Sequence, residues 1–201
     1  MKKYEFTGET KEIKLLFRTA VLHRIRATVS FGFVKIGDLG GWIEKEENLS
    51  HEGKAWVWGN AKVWGNAEVW GNAEVCGDAK VCGDAKVWGN AKVWGNAEVW
   101  GNAEVCGDAK VCGDAKVFSA SHVLVIGAIG SRNDFTTFYR DKDNEITVKC
   151  GCFLGKIDRF LEKVTQTHGD SKYALVYRAA VEVAKLQIDL LGEAPKDADE
   201  E

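Results

Sequence analysis

The thirty residues 58–87, WGNAKVWGNAEVWGNAEVCGDAKVCGDAKV, are followed without a single change by the same thirty letters at 88–117. Inside the block the period is six. Valine recurs at 57, 63, 69, 75, 81, 87, 93, 99, 105, 111, 117 and 123, and Ile129 closes the series. Alanine stands two residues before each valine up to Val117, and Ser121 and Gly127 replace it at the end. Side chains alternate across a strand, so Ala and Val point one way while the Lys or Glu and the Trp or Cys point the other. The Gly-Asn or Gly-Asp pair then turns the chain, because these residues tolerate left-handed backbone angles best. Each hexad reads as a short strand and a corner, and a corner every six residues makes the chain coil and stack on itself about 4.8 Å per layer.

The units VWGNAK and VCGDAK resemble the hexapeptide repeat of left-handed parallel β-helices, in which three hexads make one triangular coil. The likeness runs from Val57 to Ile129, which implies about four coils, although that family usually carries small or polar residues where Trp58 and its equivalents stand. The flanks do not repeat. Residues 1–54 contain β-branched and aromatic runs broken at Gly32, Gly37, Gly40 and Gly41, which predicts an N-terminal β cap. Residues 55–130 form the β-helix. Residues 131–191 predict a C-terminal α+β cap: strands at DFTTFYR and EITVKCGCF, then helices over KIDRFLEKVTQTH, ended by Gly169, and SKYALVYRAAVEVAKLQIDLL. The first helix would bury Ile157, Phe160, Leu161 and Val164. The second would bury Tyr173, Val176, Tyr177, Ala180, Val183, Ala184 and Leu186. Residues 192–201, GEAPKDADEE, read as a disordered acidic tail.

Composition narrows the function. The chain has 201 residues, 45% of them hydrophobic, and a net charge of −3. No basic surplus of the size nucleic acid demands is present, and no apolar run approaches the roughly 18 residues of a membrane span. The N-terminus MKKYEFTGETKE lacks the apolar stretch of a signal peptide, so a cytoplasmic location is expected. The flanks GDLGGWIEKEENLS and GCFLGKIDRFLEKVTQTHGDSKYALVYRAAVEVAKL resemble a family of bacteriophage and prophage hexapeptide-repeat proteins without an agreed activity. That resemblance implies a phage source and a bacterial host cytosol, and the hexapeptide fold implies a homotrimer.

The copied block weighs on how the rod is used. Five hexads are one and two-thirds coils, so the second copy is turned by about 240° and matching groups do not fall on one face. Outward columns become Trp58, Cys76, Trp94, Cys112; then Trp64, Cys82, Trp100, Phe118; then Trp70, Trp88, Cys106, Leu124. Scrambled faces argue for a spacer or scaffold. The six tryptophans Trp58, Trp64, Trp70, Trp88, Trp94 and Trp100 argue for a contact surface, at roughly 150 to 250 Å² each. The opposing reading packs them over the small cysteines, with only Trp70 and Trp88 stacked directly.

Candidates for chemistry are few. Cys76, Cys82, Cys106 and Cys112 never fall eighteen apart, so they read as free thiols, and Cys150 with Cys152 lacks a second ligand pair for zinc. Corner Asp78, Asp84, Asp108 and Asp114 each stack on an asparagine, which favours turn formation over calcium. Neither a metal nor a cofactor is expected. His122 occupies an outward position and would be a solvated residue, or the general base of an acyltransferase of hexapeptide type. His23 in a strand, His51 at the first coil and His168 at a helix end have readings as bland as a solvated surface residue. Arg24 and Arg26 share a strand face, solvated or meeting an anion. The reading is a non-enzymatic solenoid scaffold or binding module that contacts itself or a bacterial host protein. The alternatives are a phage counter-defence protein that holds a host immune protein or its nucleotide signal, and the His122 acyltransferase.

Overall fold

The computed structural model describes residues 2–191, so the acidic tail expected to be disordered lies outside the described residues. A long antiparallel hairpin opens the chain, β1 (Tyr4–Lys14) and β2 (Thr19–Ala27), and β3 (Leu39–Ile43) pairs with it. Eleven two-residue strands follow: β4 (Trp56–Val57), β5 (Lys62–Val63), β6 (Glu68–Val69), β7 (Glu74–Val75), β8 (Lys80–Val81), β9 (Lys86–Val87), β10 (Lys92–Val93), β11 (Glu98–Val99), β12 (Glu104–Val105), β13 (Lys110–Val111) and β14 (Lys116–Val117). The C-terminal part contributes β15 (Val123–Ile129), β16 (Asp134–Arg140), β17 (Ile146–Cys150) and β18 (Phe153–Lys156), then α1 (Ile157–His168) and α2 (Lys172–Gln187).

The short strands stack in three parallel sheets, in the orders β4-β7-β10-β13, β5-β8-β11-β14 and β6-β9-β12. Register is constant: Val57 lies on Val75, Val75 on Val93 and Val93 on Val111, always eighteen residues apart. Three hexads per coil follow directly. Every alanine and valine of the series from Ala55 to Val117 is buried, and they form one continuous core with both ends of the rod. Each buried valine contributes on the order of 1.5 to 3 kcal/mol. Backbone bonds between coils, such as Trp58 N–H to Val75 O at 2.8 Å and Lys62 N–H to Ala79 O at 2.9 Å, satisfy the polar groups that a valine core cannot. Corners are tied as well: Asn66 donates to Asp84 at 3.1 Å, Asn90 to Asp108 at 3.1 Å and Asn96 to Asp114 at 3.1 Å. The turn reading of the corner aspartates matches this ladder.

Parallel stacking starts before the first hexad. Ile43 pairs with Val63 and Leu49 bridges to Val69, each twenty residues apart, and both are fully buried in the rod core. Two extra residues between Leu49 and Val57 hide this leading coil from a strict six-residue count. The other end stops early. After Val117 the chain makes a 3-10 turn over Ala120–His122, and Val123–Ile129 joins an antiparallel sheet in the order β15-β16-β17-β18. The expectation that Val123 and Ile129 continue the coils is therefore corrected. No glycine corner follows Phe118, so the chain has no device to turn another face.

That four-stranded sheet is a lid with two buried faces. Tyr139 points into the rod core and donates to the Cys112 carbonyl at 2.9 Å, while Thr137 accepts the Lys110 N–H at 2.9 Å. Phe138 and Val148 face the other way and pack with Ile157, Phe160 and Val164 of α1 and Tyr177 and Val181 of α2. At the opposite end Tyr4, Ile25, Ala27 and Val34 close the first coil, with the Tyr4 hydroxyl donating to Leu49 O at 2.8 Å.

Candidate functional site

The outward columns fall where the six-residue period puts them, but the exposure expected of them does not. Trp64 and Trp100 are 2% and 0% exposed, with the fully buried Cys82 between them. Ala20 and Leu22 of β2, with Trp42 of β3, complete this cluster, and the hairpin residues Ile13 and Leu15 pack against it. Lys116, ion-paired with Glu98, lies 5.5 Å over the Trp100 ring. An exposed contact surface at Trp64 and Trp100 is thus corrected: the small cysteine leaves room for packing, and the N-terminal hairpin covers what remains. Trp58 and Trp94 are half-buried, the first edge-on to Trp56 at 6.3 Å and the second under the Lys149 ammonium at 6.0 Å. Trp70 and Trp88 stack directly, 5.0 Å apart with parallel rings, as the columns required. Leu124 does not extend that column, because it sits on the lid sheet against the helix cluster.

The two arginines are engaged within the chain. Arg26 donates to Glu5 through Nε at 3.0 Å and also through Nη2. Arg24 lies 5.3 Å over the Trp42 ring and 4.0 Å from Glu9.

His122 is not a solvated surface group. It is 2% exposed, because the turn after Val117 carries it under β16 rather than onto a rod face. Its Nδ1 accepts the Phe118 N–H at 3.3 Å, its ring meets the Phe118 ring at 4.1 Å, and Arg140 lies 3.5 Å from Nε2. Burial, and then the neighbouring Arg140 charge, push its pKa down to about 4. A proton on this ring would be buried beside a guanidinium. A general base must reach a substrate proton at hydrogen-bond distance, and this imidazole offers no open side from which to do so. His51 stacks on Tyr4 at 4.3 Å, His23 on Phe6 at 4.8 Å and His168 on Tyr177 at 5.8 Å, all as packing residues.

A cavity of about 450 Å³ opens between the tip of the lid sheet and the helices, lined by Arg132, Cys150, Phe153, Phe160, Lys163 and Tyr177 among others. Its chemistry is quiet. Thr136 donates to Cys150 Sγ at 3.3 Å, the Tyr177 hydroxyl lies 3.9 Å from the same sulfur, and burial pushes the Tyr177 pKa up to about 12. Cys76, Cys106 and Cys112 have thiol pKa values raised chiefly by burial, so they stay protonated and unreactive at neutral pH. All six cysteines are free.

The open apolar surface lies elsewhere. Every large hydrophobic side chain left exposed among the described residues falls at 6–39 or 154–191, and the whole rod between has none. At the N-terminal cap Leu16 and Phe17 stand at the hairpin tip, and Phe33 and Ile36 on the following loop, with Phe33 90% exposed. At the C-terminal cap the exposed set is Leu154, Tyr173, Leu175, Val176, Val183, Leu186 and Leu191. Here the expected helix face is corrected. α2 buries Ala174, Tyr177, Ala180, Val181 and Ala184, whereas Tyr173, Val176, Val183 and Leu186 point outward. Both sides of this helix are apolar, so periodicity alone admitted either rotation, and the larger side chains misled the choice. Leu175 and Ala179 on the outer side were the signal that a second face existed.

No family model matches the chain, and no curated protein matches it. No helix among the described residues is long and apolar enough to cross a membrane.

Proposed function

We propose that the chain is a non-enzymatic scaffold whose β-solenoid fixes the distance and angle between two capped ends, and whose caps bind protein, other copies of itself included. The observation that carries this is the segregation of apolar surface: among the described residues the exposed large hydrophobic side chains sit on the caps, and none stands on the rod between them. A rod whose outward tryptophans are buried or partly covered has less driving force for the side-by-side trimer that the hexapeptide likeness implies than the caps have for contacts at the ends. The GDLGGWIEKEENLS segment and the C-terminal segment support a bacteriophage source, hence action in a bacterial cytosol. The burial of His122 speaks against the acyltransferase reading. Chemical cross-linking of the concentrated protein, mapped by mass spectrometry, tests the proposal: intermolecular links should join residues of the caps, and links confined to hexad lysines such as Lys86 and Lys92 would overturn it.

A further inference from the structure

We infer that the cavity between the tip of the lid sheet and the two helices is a binding site for a small aromatic carboxylate, its ring held by the apolar walls and its charge by Arg132 and Lys163. The site uses none of the exposed cap side chains of the scaffold reading and stands or falls apart from it.

The walls come from three elements. Phe153 lies on β18, Phe160 and Val164 on α1 and Tyr177 on α2, and all four line the cavity. Their rings meet at the spacings and tilts that aromatic groups prefer, Phe153 to Phe160 at 5.3 Å and Phe160 to Tyr177 at 5.6 Å. A ligand ring entering there joins an aromatic cluster already formed. At about 450 Å³ the space matches the clefts of roughly 300 to 1,000 Å³ that take small molecules, which are mostly apolar with a few placed polar groups.

The polar groups set the charge of the ligand. Arg132, in the turn between β15 and β16, and Lys163, on α1, both line the cavity, and no carboxylate among the described residues pairs with either. Asp134 is the one acid on the lining, and it is engaged elsewhere: it accepts the Phe135 N–H at 2.7 Å and lies 4.0 Å from Lys110 Nζ. The neighbouring cavity beside Cys112 and Leu154 differs in this respect. Its cations are already matched, Lys142 with Asp114 at 3.3 Å and Lys156 with Glu145 at 2.7 Å. Arg132 is also held in place, because a Cβ on Gly151 would stand 3.0 Å from its Nη1, so the guanidinium lies against the bare backbone of the β17–β18 turn. A guanidinium there offers a carboxylate two parallel N–H donors. Tyr177 adds a third group: it is 6% exposed, and its hydroxyl has for partner only Cys150 Sγ at 3.9 Å, which leaves a buried hydroxyl almost unpaired. Two unmatched cations and a spare hydroxyl around an aromatic chamber select a ligand with a flat apolar body and one negative charge.

NMR titration of the isotope-labelled full chain with 2-naphthoate, 2-naphthalenemethanol and 2-naphthylmethylammonium, which share a ring and differ in charge, tests the site. The carboxylate should saturate with a Kd below about 1 mM and shift the amide signals of Gly151, Cys152, Thr167 and His168, with the alcohol about 10-fold weaker and the ammonium weaker still. Arg132→Gln should weaken the carboxylate by about 10-fold and Lys163→Gln by several-fold, with the alcohol unaffected; Arg132→Lys should recover part of the loss. Both side chains are exposed, so thermal melts should not change. Absence of saturation by the carboxylate, equal affinity for the three probes, or indifference to Arg132→Gln overturns the inference. Shifts at Leu175 and Leu186 that vanish in Leu186→Gln would put the binding on the outer side of α2 and overturn it equally.

Discussion

Gly59 and Gly89 sit at the same place in the identical hexad VWGNAK, and alanine at each should cost very different amounts. Both have positive φ, 60° and 72°, so each alanine carries a conformational penalty of about 1 to 2 kcal/mol. At Gly59 nothing lies within 4 Å of the added Cβ. At Gly89 it would come 2.9 Å from the Gly107 nitrogen and 3.1 Å from the Gly107 oxygen, in the coil eighteen residues on. That neighbour is backbone and cannot swing away, because Asn90 N–H donates to Gly107 O at 2.8 Å and holds the two corners together. Overpacking of this kind adds about 1 to 3 kcal/mol. Gly89→Ala should therefore lose roughly 2 kcal/mol more than Gly59→Ala in urea unfolding followed by tryptophan fluorescence. Equal losses at the two sites would refute the close approach of Gly107 to Gly89, since the hexads are the same and only Gly89 has backbone of the next coil within reach of an added Cβ.

His122 gives a pH prediction. Its folded pKa lies at about 4, below the usual 6.5, so the unfolded chain takes up the proton more readily. The stability it contributes is intact above about pH 6.5 and is lost as pH falls toward 4, amounting to about 3 kcal/mol when complete. Urea unfolding at pH 7 and pH 4.5 should show the parent losing about 2 kcal/mol more than His122→Gln, and parallel losses would remove the idea. Trp100→Ala opens a void between Cys82 and Phe118 and should cost about 3 to 5 kcal/mol, whereas the half-buried Trp70→Ala should cost clearly less; a reversed order in thermal melts would contradict the covered column.

Much of the rod was legible because a single residue type, valine, marks the inward position at a constant period. Where that marking lapses, the reading failed at both ends for physical reasons. Ile43 and Leu49 serve as inward residues but are separated from the series by an eight-residue step to Val57. Val123 and Ile129 keep the spacing yet lack the alanine and the glycine corner that make a hexad coil, and their segment pairs antiparallel instead. α1 was legible because its apolar residues occupy one side; α2 was not, because Leu175, Ala179, Val183 and Leu186 compete with Tyr177, Ala180, Val181 and Ala184. Direction without exposure was legible at Trp64 and Trp100, since the period gives the side of the strand but not the hairpin that lies over it.

Hydroxyl-radical footprinting of the full chain, dilute and then concentrated or with a bound protein, addresses the scaffold account most directly. Protection should appear at cap residues such as Leu175, Leu186, Phe17 or Phe33, while Trp70 and Trp88 on the open rod face keep their labelling. Protection of Trp70 and Trp88 with unaltered caps would contradict it, and would make the side of the rod the working surface.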